Sequence, residues 1–181
     1  MRASRFHILG LGESLEEYQP DNGQTIGVND IHSRVKTDYV VCVDGKKAFT
    51  PERQKTILET DCKGFFTQCD DWQGVTNFNK IELAAGRGNL KFLDSRKFVY
   101  SISSPYVAVI LAYKLCASEI ILHGVDFKTH KNFKDNKLKR ALEHFEALNI
   151  KLKEKKVDLY VGSEYSALSE FIEVWQPDDK S

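Results

Sequence analysis

Short β-rich runs that alternate with helical stretches predict an α/β fold, with a mostly parallel sheet and helices on both faces. Seven runs carry the strand signal, each rich in Val, Ile, Phe or Tyr: FHIL, TIGVN, DYVVCVD, GFFTQ, KFVYSI, EIILHGV and DLYVG. Two longer stretches carry the helix signal. YVAVILAYKLC (106–116) is too long and too apolar for a strand, so it reads as a buried helix. NKLKRALEHFEALNIKLKEKK (136–156) sets Leu138, Ala141, Leu142, Phe145, Leu148 and Leu152 on one helical face. The third observation is size: 181 residues, with no internal repeat and no linker long enough to divide them, suit one domain spanning 1–181.

In chain order, FHIL opens the sheet and runs into Gly10-Leu11-Gly12, followed by the polar, helix-like ESLEEY. TIGVN and DYVVCVD end in Asn29-Asp30 and Asp44, residue types that either form turns or bond a ligand. GFFTQ precedes a glycine- and asparagine-rich stretch, 70–96, expected as a loop or lid. KFVYSI leads to Ser104-Pro105, a serine at the N-cap and a proline at the first helical position, which start the buried helix. EIILHGV delivers Asp126, Lys128, His130 and Lys131 just past a strand end. After the long helix comes DLYVG, and EYSALSEFIEVW (164–175) is expected as a shorter terminal helix before a frayed tail at 176–181.

Lys plus Arg and Asp plus Glu both number 26, so the overall charge gives no sign of nucleic-acid binding. KTHKNFKDNKLKR (128–140) and KLKEKK (151–156) nevertheless concentrate positive charge, as a solvated helix face or a basic groove would. No apolar run approaches the roughly 20 residues of a membrane helix. The N-terminal MRASRFHILG lacks the apolar core and cleavage site of a secretory signal. A cytoplasmic protein with no membrane partner is therefore expected. Cys42, Cys62, Cys69 and Cys116 form no CxxC pair and are expected as buried, reduced thiols. No metal site and no resident cofactor are expected: Asp44 lacks a second acidic residue at D-x-D spacing, and hard divalent cations take several oxygen ligands.

In open α/β sheets, ligands bind beyond the carboxyl ends of the strands. Gly10 and Gly12 would admit a phosphate close to the backbone, with Ser14 as a hydrogen-bond donor or helix cap. The same glycines equally suit a purely structural turn. Their spacing lacks the third glycine of a dinucleotide fingerprint and the Gly-Lys-Ser/Thr of a P-loop. Asn29 offers both a donor and an acceptor to a base, sugar or phosphate. Ser103 and Ser104 flank the free amides of a helix N-terminus, an anion site. His130 suits a general base near neutral pH, and Lys128 and Lys131 suit stabilising charge on a departing phosphate. His7, His32, His123 and His144 are weaker, His123 being embedded in its strand.

Several of these residues also carry a family resemblance. GLGESL is similar to the G-x-G-x-S-L opening of the family 42 bacterial sialyltransferases, an opening shared by MptE-like pterin diphosphokinases and related phage proteins. TIGVND with DYVVCVD resembles the family's next pair of strands. SISSPYVAVILAYKLCASEIILHGVDF resembles the segment in which a T/S-S-G turn opens a helix, followed by a strand ending G-[IV]-D-F. ALEHF and DLYVGSEYSALSEFIE follow in the family's order, and the match is thin through 46–96.

This resemblance implies a Rossmann-like fold of GT-A-type variant. The implied activity is metal-independent transfer of a sugar from a nucleotide-sugar donor to an acceptor hydroxyl. Gly10, Gly12, Ser14, Asn29, Ser103 and Ser104 would line the nucleotide, with Asp44 and Asp126 at the same strand ends. Ser163 and Ser166 would face the donor from the last turn, and His130 lies close to the family's catalytic base. Three departures stand out: Leu11 replaces an asparagine, Lys128 replaces a tyrosine, and the lid before His130 is almost absent. They imply a more highly charged leaving group than CMP, such as a nucleoside diphosphate. The acceptor would be a glycan, or a hydroxymethylated base in phage-type DNA. The alternatives are an MptE-like diphosphokinase, moving a pyrophosphoryl group from ATP to a pterin alcohol, and a non-catalytic nucleotide-binding module.

Overall fold

The structure, a computed structural model, describes residues 4–128 and 135–177. Seven strands form one sheet: β1 (Arg5–Leu9), β2 (Gln24–Val28), β3 (Tyr39–Val41), β4 (Gly64–Thr67), β5 (Phe78–Lys80), β6 (Glu119–His123) and β7 (Asp158–Val161). Their spatial order is β5-β4-β3-β2-β1-β6-β7, and every neighbouring pair is parallel. Three α-helices accompany them: α1 (Pro51–Leu58), α2 (Ser104–Lys114) and α3 (Asp135–Glu154). Among the described residues no helix is long and apolar enough to cross a membrane.

Parallel strands are covered on both faces, and the continuous apolar stretches Tyr39–Val41 and 120–122 fit that setting. On one face Phe6, Ile8, Ile26, Val28, Ile120 and Leu122 join a core with α2 and α3. Every residue of α2 from Tyr106 to Ala112 is buried, because the helix lies over the sheet centre against β1, β2 and β3. In α3 only one stripe is buried: Ala141, Phe145, Leu148 and Leu152, at a period near 3.6. On the other face Leu9, Val40, Cys42 and Phe65 pack with Ile57 of α1 and with Trp72.

The expected mostly parallel sheet is thus wholly parallel, with helices on both faces. KFVYSI is not one of its strands: Phe98 pairs with the 82–84 segment instead, its amide donating to the Glu82 carbonyl at 2.8 Å. EYSALSEFIEVW forms only a 3-10 turn, Ala167–Glu170. Beyond it the chain turns at Phe171 and bends at Ile172, and Val174 then bridges to Val161 beside the sheet. Within the 70–96 stretch, Phe78–Lys80 forms an edge strand. The α2 N-cap is Ser103, so Ser104 and Pro105 sit one position deeper than expected. Cys42 and Cys62 are buried, Cys69 is half-buried, and Cys116 is exposed, contrary to expectation.

Candidate functional site

The chain builds β1 to β5 outward on one side, then α2 carries it back across β1 to begin β6 and β7 on the other. The direction reverses between β1 and β6, and their carboxyl ends form the rim where a ligand crevice belongs.

At this rim two turns meet backbone to backbone. The Gly10 amide donates to the His123 carbonyl at 2.7 Å, and the Gly12 amide donates to the Gly124 carbonyl at 2.8 Å. A Cβ on Gly10 would collide with the Gly124 carbonyl oxygen, and one on Gly12 with the Asp126 carboxylate. These glycines therefore serve the contact between turns, whatever else they admit. Ser14 lies inside the 3-10 turn Glu13–Glu17, whose N-cap is Gly12. Its hydroxyl donates to Asp126 and accepts the Gly124 amide at 3.1 Å, while its own amide donates to the second Asp126 oxygen at 3.0 Å. One buried carboxylate thus clamps β1's turn to β6's.

The β7 turn joins the same knot. Ser166 donates to the Val125 carbonyl at 2.7 Å, and the Asp126 carbonyl accepts the Ala167 amide at 2.8 Å. Ser163 donates to Glu17 at 2.8 Å. Gly10, Gly12, Ser14, Asp126, Ser163 and Ser166 come together as expected, but their hydroxyls are engaged within the protein.

A second group stands at the end of β2. Asn29 adopts a left-handed backbone, φ +54°, and its Oδ1 accepts the Ser104 hydroxyl at 3.3 Å. This contact holds the first turn of α2 beside the β2 turn; within that turn Pro105 has no amide hydrogen and the Tyr106 amide donates to the Ser103 carbonyl at 3.3 Å. Among the described residues the buried Ser103 hydroxyl and the phenol of fully buried Tyr106 meet no hydrogen-bond partner. Burial pushes the Tyr106 phenol up. Asp44 is exposed at the end of β3, two strands from β1, and the structure does not bring it to the β1–β6 rim.

Lys128 is exposed above the rim, its Nζ 4.6 Å from the Tyr165 ring centroid. Tyr165 donates its hydroxyl to Glu13 at 3.0 Å, and that carboxylate holds the phenol above its ordinary value. His130 and Lys131 lie outside the described residues. Among the described residues no group of three or more His, Cys, Asp or Glu side chains is placed to hold a metal. Glu13, Glu17 and Tyr165 were not expected here, and neither was Arg34, whose guanidinium donates to the Leu11 carbonyl at 3.0 Å. No local pattern marks them, because their contacts come from strands distant in sequence.

No protein-family model and no curated protein matches the chain. Solved structures do match over nearly its whole length. The sialyltransferase CstII from Campylobacter jejuni in complex with the substrate analogue CMP-3FNeuAc superposes with a TM-score of 0.59 at 17% identity, covering 94% of this chain and 85% of that one. CST-II in complex with a trisaccharide acceptor and CMP gives 0.58 at 17%, covering 94% and 86%. The monofunctional α-2,3-sialyltransferase Cst-I from Campylobacter jejuni gives 0.61 at 15%, covering 95% and 80%. At such identities these matches establish a shared fold: an α/β, Rossmann-like parallel sheet common to this chain and the sialyltransferases.

Proposed function

We propose that the chain is a nucleotide-sugar-dependent glycosyltransferase acting on a glycan hydroxyl. One observation carries the reading. The β1 turn lies at the switch point, and Asn29 with the first turn of α2 stands at the end of the neighbouring strand β2, in a fold shared with enzymes solved with CMP-3FNeuAc and with a trisaccharide acceptor plus CMP. In this reading the donor phosphate takes the Ser104 amide and the Ser103 hydroxyl at the start of α2, and Asn29 bonds the sugar or base. Gly10, Gly12, Ser14, Asp126, Ser163 and Ser166 shape the rim. His130 removes the acceptor proton as that oxygen attacks the anomeric carbon. The bond from that carbon to the phosphate oxygen breaks, and the nucleotide departs with the electron pair. Lys128 and Lys131 stabilise its charge, so the reaction proceeds without a metal.

A thermal-shift series with CMP, UDP, GDP and ATP, with Mg²⁺ or EDTA, tests the donor site. A nucleotide at about 100 times its Kd raises apparent stability by about 2.7 kcal/mol, and no shift with any of them rejects the reading. Sugar transfer should survive EDTA; loss with the chelator would favour phosphoryl-transfer chemistry. His130→Ala should lower turnover by about 10²–10⁴-fold, and unaltered turnover would remove its assigned role. If DNA were the acceptor, its binding would weaken steeply with salt.

A further inference from the structure

The sheet face opposite α2 and α3 carries a buried polar chain that the proposed reaction does not use. His7 of β1 is fully buried, and His123, the last residue of β6, is 4% exposed. His7 Nε2 lies 2.9 Å from Asp21 Oδ1, and His7 Nδ1 lies 2.9 Å from His123 Nε2. Tyr18, which ends the 3-10 turn Glu13–Glu17 and sets its ring 4.8 Å from that of His123, and Trp175, edge-on 5.8 Å from His7, close over the pair.

The bonding fixes both tautomers. Burial acts to raise the Asp21 carboxyl, but the Gly23 amide, the Arg5 guanidinium and His7 together hold it below its ordinary value. Asp21 is therefore an acceptor, and His7 donates to it from Nε2. Neutral His7 then accepts at Nδ1, so His123 carries its proton on Nε2 and keeps a bare lone pair on Nδ1. That nitrogen lies against Gly162, where any Cβ would collide with it. A further proton converts an acceptor into a donor. On His7 Nδ1 it would oppose the His123 N–H; on His123 Nδ1 it would charge a ring enclosed by Gly162, Tyr18 and His7. The charged and titratable groups facing the pair are Asp21 and Tyr18 from the 18–23 segment, Arg5 from β1 and Glu119 from β6.

The main chain links this to the rim. The His123 carbonyl receives the Gly10 amide, and the next residue receives the Gly12 amide. We propose that Asp21, His7 and His123 are positioning residues for the β1 glycine turn. The neutral chain holds the His123 and Gly124 carbonyls where Gly10 and Gly12 require them, and a proton taken up by the pair releases the turn. The consequence for donor binding rests on the reading of this rim as the donor site.

NMR of the full chain from pH 8 to pH 2.5 tests the first part without any ligand. The expected result is two histidines protonated on Nε2 at pH 7.5, titrating below the ordinary 6.5, with the Gly10 and Gly12 amides following the same midpoint. Asp21→Asn, at a partly exposed position, removes the anion that attracts the proton and should move the midpoint down. His123→Gln keeps an N–H donor but takes up no proton, so the glycine amides should cease to follow pH. CMP affinity of the unaltered chain, divided by that of His123→Gln, should fall about tenfold for each pH unit below the midpoint; the ratio cancels the nucleotide's own titration. Histidines that titrate while the glycine amides stay fixed, or an Asp21→Asn midpoint that does not move, overturn the proposal. A flat CMP ratio overturns it too, while sparing the donor reading. If none of CMP, UDP, GDP and ATP binds either protein at any pH, the donor reading fails and the glycine amides alone decide the positioning role.

Discussion

Gly10 and Gly124 approach so closely that neither has room for a side chain. A Cβ on Gly124 would lie 2.6 Å from the Gly10 carbonyl oxygen, and Gly124 also holds φ +65°. The neighbour in each case is backbone, which cannot swing aside. Gly10→Ala should therefore cost about 1–3 kcal/mol from overpacking, read as a lower urea midpoint. Gly74→Ala is the contrast, since nothing lies within 4 Å of its Cβ position; it should stay within about 0.5 kcal/mol. A Gly10→Ala protein as stable as its parent would show that the β1 and β6 turns slide apart freely, and the rim would lose its rigidity. FHILGLG announces a turn with two glycines. That the obstacle is a carbonyl more than a hundred residues away could not be read from it.

Among the elements, α3 shows the amphipathic logic most directly. Phe145 is fully buried, with its ring 5.3 Å from Tyr106 and 5.7 Å from Phe127, so it pins α3 to α2 and to the β6 turn. Phe145→Ala should cost about 3–5 kcal/mol, whereas Ile150→Ala, at a position 58% exposed, should change stability by less than about 0.5 kcal/mol. Equal effects in chemical denaturation would mean that α3 does not pack by this stripe. The stripe was legible because a 3.6-residue period survives in the sequence. KFVYSI misled for the opposite reason: its β-type residues are buried beside the 82–84 segment, and a short apolar run does not name its partner.

For the molecule as a whole, the buried histidines set the acid limit of stability. Burial lowers His7, His32, His123 and His144, with His123 pushed down to about 3. In the unfolded chain each returns to about 6.5. Below that pH the unfolded state binds more protons than the folded one, so stability falls as pH falls. His123 alone, neutral when folded, contributes a loss of about 1.4 kcal/mol per pH unit between about 6 and 4. Asp21 and Asp38, both lowered, add stability above their ordinary 3.8 that disappears as pH drops through their folded values. Urea melts at pH 7.5, 6.5, 5.5 and 4.5 should show this decline beginning near 6.5. A flat profile down to pH 4.5 would contradict neutral, enclosed imidazoles.

The sequence alone determined the class of fold, six of the seven sheet strands and the two long helices. Each of these is encoded locally, by β-branched runs, by helical periodicity, or by Ser104-Pro105 at a helix start. It also brought most of the rim residues into view, since glycines, serines and acids at strand ends are conspicuous in one dimension. Only the tertiary structure decided what those residues bond. Ser14 and Asp126 are joined across 112 positions, and Asp21, His7 and His123 form a chain through β1 and β6. Hydrogen-bond partners are chosen by proximity in space: β1 lies beside β6 although four strands come between them along the chain, and that one crossover sets the rim's contacts.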